Sequence, residues 1–206
     1  MAGLSRRQVM LVGGSAAAGL ALGGTYRQLR RESAPGGHIR PPGAGSEADF
    51  LAACIRCGQC VQACPPEYGT LSLLDLTAGV SAGTPHADDL RKRPCSLCQG
   101  YEEPRCIAAC PSGALSELTD QRHIRMGLAR IDTETCWAYT GILCKSCWHV
   151  CPWPDEALEL NERLRPVINN DLCVGCGLCE RACPVEPSAI VITADRRPVA
   201  DRREES

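Results

Sequence analysis

Apolar residues in this chain come in short runs that alternate with polar and turn-forming stretches. Two of these runs, 128–132 and 166–169, predict short strands. The stretch from 157–160 to Val167 and Ile168 predicts a strand, a turn and a second strand. A polar loop is expected over 77–93. The pattern predicts a small α+β fold built from short elements.

A weakly apolar stretch at 9–24 directly follows two arginines, Arg6 and Arg7. This order resembles a twin-arginine export signal. With five glycines in sixteen residues, the stretch is short for a membrane span, which needs about 20 apolar residues. An ordinary N-terminus that contains Arg-Arg and an uncleaved signal that anchors the protein to a membrane remain as alternatives, and signal cleavage stays open.

Composition along the chain predicts four segments. Residues 1–31 form the signal or an N-terminal anchor, and 32–47, rich in Pro, Gly and Ser, form a flexible linker. The folded body covers 48–194, and 195–206 form a polar tail.

Cysteine is unusually abundant, with 16 in 206 residues, whereas Phe50 is the single phenylalanine. Burial of so few large apolar groups does not easily offset the entropy of ordering the body. A group bound to the cysteines must therefore contribute to stability. This composition argues against an ordinary α/β enzyme, a coiled coil or a multi-pass membrane protein, and leaves a disulfide scaffold, zinc modules or iron–sulfur clusters.

The net charge of −2 hides an uneven distribution. Residues 1–31 contain five arginines and no acid, which leaves the remaining chain seven charges negative. Nucleic acid is therefore an unfavourable partner for the body.

The cysteines fall into four quartets with none left over, and each quartet ends in C-x3-C-P. The quartets are Cys54, Cys57, Cys60, Cys64; Cys95, Cys98, Cys106, Cys110; Cys136, Cys144, Cys147, Cys151; and Cys173, Cys176, Cys179, Cys183. The first and fourth match the bacterial ferredoxin run C-x2-C-x2-C-x3-C-P. The second and third each carry a seven-residue gap.

This spacing favours iron–sulfur clusters over the competing chemistries. Three thiolates within seven residues let a loop wrap one face of a cluster with its backbone N–H groups, and a short helix is expected to begin near the third cysteine. Disulfides and zinc leave the third cysteine and the C-P ending unexplained. No C-x2-C is followed by histidine, which excludes covalent c-type haem. We expect four [4Fe-4S] clusters and sixteen cysteine ligands.

In a two-cluster ferredoxin module, three cysteines of one quartet share a cluster with the last cysteine of the partner quartet. Pairing is either consecutive or nested, and resemblance between the outer quartets favours nesting. The outer module would comprise 48–80 with 155–194, around an inner module of 90–154. The predicted ligand sets are Cys54, Cys57, Cys60, Cys183; Cys95, Cys98, Cys106, Cys151; Cys136, Cys144, Cys147, Cys110; and Cys173, Cys176, Cys179, Cys64.

With Arg6-Arg7, the four quartets and the order of the two interrupted ones, the chain resembles the periplasmic ferredoxin-type proteins of nitrate-reductase and methylamine-utilisation systems, the NapG/MauM type. The resemblance covers most of the chain. It implies folded export to the periplasm, and electron transfer from a membrane-bound quinol-oxidising iron–sulfur protein to a periplasmic redox acceptor. Membrane association would come through that partner or an uncleaved signal.

The expected function is therefore that of an electron carrier without a catalytic site of its own, since no nucleophile elbow, phosphate loop or dinucleotide fingerprint occurs. An electron-transfer subunit of a larger exported oxidoreductase is one alternative. A maturation or interaction factor with structural clusters is another.

All three tryptophans, Trp137, Trp148 and Trp153, lie in or just after the third quartet. They are expected to shield that cluster from water, with a partner-docking patch as the alternative. His149, between Cys147 and Cys151, is expected at the surface or beside a ligand and not as a ligand itself.

Overall fold

The computed structural model describes residues 37–194, and it consists there of very short helices and two-stranded sheets. The helices are α1 (Glu47–Ala53), α2 (Gln59–Ala63), α3 (Arg105–Ala108), α4 (Trp137–Thr140), α5 (Ser146–Val150) and α6 (Leu178–Ala182), with 3₁₀ turns at Leu76–Ser81 and Gln121–His123. The strands are β1 (Leu71–Leu73), β2 (Pro85–Ala87), β3 (Leu128–Ile131), β4 (Leu158–Leu160), β5 (Pro166–Ile168) and β6 (Ile190–Thr193). The predicted export signal, residues 32–36 of the predicted linker, and the predicted tail lie outside this range.

Helices begin where the cysteine spacing predicts them. The third cysteine of each quartet lies in α2, α3, α5 or α6. Gly58 and Gly177 precede α2 and α6 in the left-handed conformation, with φ of 73° and 81°. Glycine adopts this conformation without the steric cost that a Cβ brings. The chain can therefore turn sharply from the cysteine loop into the helix.

Three antiparallel sheets tie distant segments together. In the first, β1 pairs with β2, and in the second β4 pairs with β5, which confirms the predicted hairpin. In the third, β3 pairs with β6 from Leu128 opposite Thr193 to Ile131 opposite Ile190. This sheet brings the chain before the third quartet against the chain after the fourth.

The polar loop predicted over 77–93 is wrong in its central part. Residues 85–87 form β2, and Thr84, Ala87 and Leu90 are buried. Pairing with β1 satisfies the backbone hydrogen bonds of β2. Isolated apolar residues within a charged stretch thus reach the core through sheet pairing and not through a continuous apolar run.

The predicted linker is also wrong over its described residues, which pack onto the body. Arg40 is fully buried, donates from Nη1 to the Thr84 hydroxyl at 2.8 Å, and forms an ion pair with Glu47. Its guanidinium carbon lies 4.9 Å from the centre of the Phe50 ring. Ile39 bridges to Ala87. The segment is rich in proline and glycine, yet Arg40 holds it on the body through hydrogen bonds from all three guanidinium nitrogens.

Helix packing divides the structure into two halves that differ from the predicted modules. Helix α2 of the first quartet packs against α3 of the second, and α5 of the third packs against α6 of the fourth. The nested prediction is therefore wrong. It placed an outer module of 48–80 with 155–194 around an inner module of 90–154. We call residues 37–118 the first half and residues 124–194 the second half.

Three small cores replace one large one. The first joins Phe50 and Leu71 to Ile107 and Leu115, within the first half. The second lies between the halves, and the third lies under β3, β4 and β6 in the second half. Cysteines belong to all three cores. The few large apolar side chains are therefore distributed around the cysteines.

Replacing Arg40 by methionine tests whether the buried arginine holds the N-terminal segment. Arg40→Met leaves the Glu47 carboxylate, whose side chain is 9% exposed, without this ion-pair partner. Such a change costs about 3 kcal/mol of unfolding free energy. The measurement is guanidinium unfolding followed by circular dichroism. Arg122→Met, which breaks a half-exposed pair with Glu156, is the control and should cost less than about 1 kcal/mol. Equal losses of unfolding free energy in the two variants would contradict the conclusion that Arg40 holds the N-terminal segment.

Candidate iron–sulfur sites

The first group of cysteines lines a cavity in the first half. Cys54, Cys57 and Cys60 from the first quartet face Cys110, the last cysteine of the second. The cavity encloses about 320 Å³ of empty space, part of it open to solvent, and Phe50 and Leu115 complete its wall. Cys57 is the exposed member and Cys60 is buried.

Two corresponding cavities lie in the second half. One, of about 350 Å³, is lined by Cys136, Cys144, Cys147 and Cys183. The other, of about 390 Å³, is lined by Cys151, Cys173, Cys176 and Cys179. Each again combines three cysteines of one quartet with the last cysteine of its neighbour.

The remaining four cysteines, Cys64, Cys95, Cys98 and Cys106, lie together between these sites. Burial is the main cause that raises the pKa of the Cys106 thiol, and Cys95, Cys98 and Cys64 raise it further by charge repulsion. Cys64 also raises the pKa values of Cys95 and Cys98, after burial as the main cause. The last cysteine of the first quartet thus joins the first three of the second.

The nested grouping is therefore wrong. Cys183 lies with the third quartet and not with Cys54, and Cys110 lies with the first quartet and not with Cys136. Cys64 lies with the second quartet, and Cys151 with the fourth. Quartets exchange their last cysteine with the quartet adjacent in sequence, because α2 packs on α3 and α5 packs on α6.

We number each group by the quartet that supplies three of its four cysteines. The groups then lie next to one another in a single order. Cys60 of the first group lies near Cys106 of the second, where its charge adds to the burial that raises the pKa of Cys106. The Cys95 N–H donates to the Cys176 carbonyl at 2.8 Å, which joins the second group to the fourth. Cys147 of the third group likewise adds to the burial that raises the pKa of Cys179. The order in space is first, second, fourth, third.

Burial favours the neutral form of most of these thiols. It raises the pKa of Cys95 and Cys176 to about 12, and that of Cys60 and Cys147 to about 11. Cys110 differs. Burial is again the largest influence on its pKa, but hydrogen bonds from Leu115, Ser112 and Ala114 together outweigh it and lower the value. A bound cation has to offset the desolvation of most of these thiolates.

Backbone N–H groups offset part of the cost of burying these thiolates. The Arg105 N–H donates to Cys98 Sγ at 3.4 Å. Hydrogen bonds from the backbones of Val61, Leu97 and Leu178 lower the pKa values of Cys60, Cys95 and Cys176, which burial otherwise raises. Such N–H groups stabilise negative charge on sulfur. This is the pattern expected around an anionic cluster.

The residues present fit a polynuclear cluster. All sixteen cysteines are free thiols. Across residues 37–194, no three His, Cys, Asp or Glu side chains converge closely enough to hold a single metal ion. Twelve of the cysteines instead line three cavities of about 320–390 Å³ with apolar walls, four to each cavity. Four thiolates around such a space are the ligand set of a [4Fe-4S] cluster.

Tryptophans pack beside the cysteines of the second half. Trp137 and Trp153 contribute to the walls of the two cavities there. Trp148 packs into the third core and donates from Nε1 to Asp155 at 2.9 Å. Trp137 remains 39% exposed. Shielding of the third-quartet cluster by these rings stays a prediction.

The histidine prediction agrees with the structure. His149 is exposed, and its ring contacts the Trp148 ring edge to face at 5.0 Å between centres.

Sequence reasoning missed Leu90 and Arg91, which connect the two halves. Leu90 belongs to the core between them, and Arg91 donates to the Val185 carbonyl at 3.1 Å. The one signal available was a single leucine within a charged stretch.

Two family models described as 4Fe-4S binding domains match the chain, one over residues 51–70 and the other over 166–187. They cover the first and fourth quartets. Together with the paired helices and cysteine cavities, these matches define a protein of tandem ferredoxin-like modules that binds iron–sulfur clusters. No helix among residues 37–194 is long and apolar enough to cross a membrane.

Comparison with three curated relatives identifies the family within this class of proteins. It is 43% identical over 201 residues to the ferredoxin-type protein NapG of Escherichia coli (strain K12), which covers 91% of this chain and 82% of the relative. It is 40% identical over 200 residues to the methylamine utilization ferredoxin-type protein MauM of Methylorubrum extorquens, over 90% and 87% of the two chains. Identity to the ferredoxin-type protein NapF of E. coli is 33% over 151 residues, 71% of this chain and 80% of the relative. The chain belongs to the NapG/MauM family of ferredoxin-type proteins.

Proposed function

We propose that the protein is an electron-transfer polyferredoxin with four [4Fe-4S] clusters. The observation that carries the proposal is that twelve of the sixteen cysteines line three cavities in sets of four, each set drawn from two quartets. The proposed ligand sets are Cys54, Cys57, Cys60, Cys110; Cys64, Cys95, Cys98, Cys106; Cys136, Cys144, Cys147, Cys183; and Cys151, Cys173, Cys176, Cys179.

Each cluster, when bound, accepts and releases one electron at a time. The chain contributes thiolate ligands, N–H donors and apolar walls that limit water access. Three observations support a continuous relay. Cys60 and Cys106 belong to one buried core, the Cys95 N–H donates to the Cys176 carbonyl, and Cys147 packs against the core that contains Cys179. The protein carries electrons and has no substrate site of its own in this proposal.

The physiological direction follows from the resemblance to the NapG/MauM family. We infer that a membrane-bound quinol-oxidising iron–sulfur protein supplies electrons and that a redox acceptor in the periplasm receives them, within a nitrate-reductase or methylamine-utilisation system. Arg6 and Arg7 before an apolar stretch support export in the folded state. Folded export suits clusters that are assembled on reduced thiols inside the cell. Attachment to the membrane would come through the partner or an uncleaved signal.

Metal analysis of the anaerobically purified protein tests the cluster assignment. We expect about 16 iron and about 16 sulfide per chain, and EPR signals of reduced [4Fe-4S] clusters after dithionite treatment. About four zinc ions per chain would contradict the proposal. Eight disulfides without metal would contradict it as well.

Paired cysteine variants test the ligand sets. Cys57→Ala and Cys110→Ala affect one cluster in this proposal, so the double variant should keep about 12 iron per chain, as each single variant does. Cys57→Ala with Cys183→Ala affects two clusters and should keep about 8. Nested pairing predicts the reverse, because it assigns Cys183 to the set of Cys57. Iron analysis of the purified variants distinguishes the two outcomes.

A further inference from the structure

The two halves of the protein meet through the loops of the second and fourth quartets. The Cys95 N–H donates to the Cys176 carbonyl at 2.8 Å, so two cysteines of different groups are joined through the backbone. Leu90 and Leu97 from the first half pack with Met126 and Val174 from the second, and all four are buried. We call this contact surface the junction.

Gly177 determines how closely the junction packs. A Cβ added there would lie 2.5 Å from Leu90 Cβ, closer than real Cβ atoms approach, so one of the two loops would have to shift. Gly58 occupies the equivalent position before α2, with φ of 73° against 81° for Gly177. A Cβ at Gly58 would meet only Leu73 Cδ1, at 3.6 Å. The same backbone position is therefore crowded in one quartet and open in the other.

Polar contacts clamp the edge of the junction. Arg91 donates to the Val185 carbonyl at 3.1 Å and forms an ion pair with Glu186. Arg181 donates back to the Lys92 carbonyl. These contacts run in both directions between residues 91–92 and the segment around α6. The junction is thus held by buried apolar packing and by reciprocal arginine contacts.

We propose that the junction is the crossing point for electrons between the two halves, and that Gly177 is a positioning residue that keeps Cys95 and Cys176 adjacent. The inference rests on the proposed function. Of the neighbouring cysteine pairs described above, Cys60 with Cys106 and Cys147 with Cys179 lie within one half, whereas Cys95 with Cys176 joins the halves. The step moves one electron. The site on one side is oxidised by one unit, the site on the other is reduced by one unit, and no bond or proton changes place.

Distance makes the positioning role testable. Electron tunnelling weakens steeply as donor and acceptor separate, so a small shift of the α6 loop away from Leu90 slows the crossing without removing a ligand. Gly177→Ala forces such a shift. Gly58→Ala carries a similar penalty for positive φ but no comparable clash, and it is the matched control.

The experiment uses the full cluster-loaded chain and has three readouts. Iron content reports on the proposed function. Hydrogen exchange of the Cys95 amide reports on the junction, and magnetic interaction between reduced clusters in EPR reports on the separation of the groups. For Gly177→Ala we expect about 16 iron, exchange of the Cys95 amide at least about tenfold faster than in Gly58→Ala, and weaker magnetic interaction. Unchanged exchange and unchanged interaction would overturn the inference.

A second pair of variants covers the case in which Gly177→Ala loses iron. Arg91→Ala removes the contacts of Arg91 with Val185 and Glu186 without touching a cysteine loop. Arg93→Ala, whose ion pair with Asp88 stays within the first half, is its control. The inference predicts faster Cys95 exchange and weaker interaction for Arg91→Ala alone, and equal behaviour of the two variants would overturn it. Iron far below about 16 in the unmodified protein would instead refute the proposed function.

Discussion

Burial of cysteine thiols in groups of four is the constraint on which the rest of this structure depends. Twelve of the sixteen thiols line apolar cavities, and burial raises the pKa of buried cysteines such as Cys95, Cys176 and Cys179. A thiolate there needs a cation and N–H donors to be stable. Helices α2, α3, α5 and α6 are short because each carries the third cysteine of a quartet and ends just before the fourth. The cores are small because the sites occupy the positions where a larger protein would place aliphatic side chains.

Cysteine spacing and the local pattern of apolar residues could predict much of the local structure. A helix at the third cysteine of each quartet and the hairpin of β4 with β5 follow from patterns only a few residues long. Ligand identity follows from the same patterns. The pairing of quartets does not, because resemblance between the first and fourth quartets reports similar loop geometry and not which loops touch. Consecutive pairing depends on the packing of α2 on α3 and of α5 on α6, which the cysteine pattern does not encode.

Two further errors have a common physical cause. Residues 38–47 and 77–93 are polar and rich in turn formers, yet Arg40, Thr84 and Leu90 in them are buried. Composition reports how much apolar surface a segment has, but it does not show that a guanidinium has a partner for each of its three nitrogens. Such contacts become visible only when the partners, here Glu47, Thr84 and the Pro85 carbonyl, are known. The same holds for the crowded contact of Gly177 with Leu90.

Consecutive pairing is the central claim, and iron positions test it most directly. A crystal structure of the anaerobically purified protein, with anomalous data at the iron edge, would assign each cluster to its ligands. The account predicts one cluster bound by Cys54, Cys57, Cys60 and Cys110, and clusters that follow one another in the order first, second, fourth, third. A cluster bound by Cys54, Cys57, Cys60 and Cys183 would contradict it.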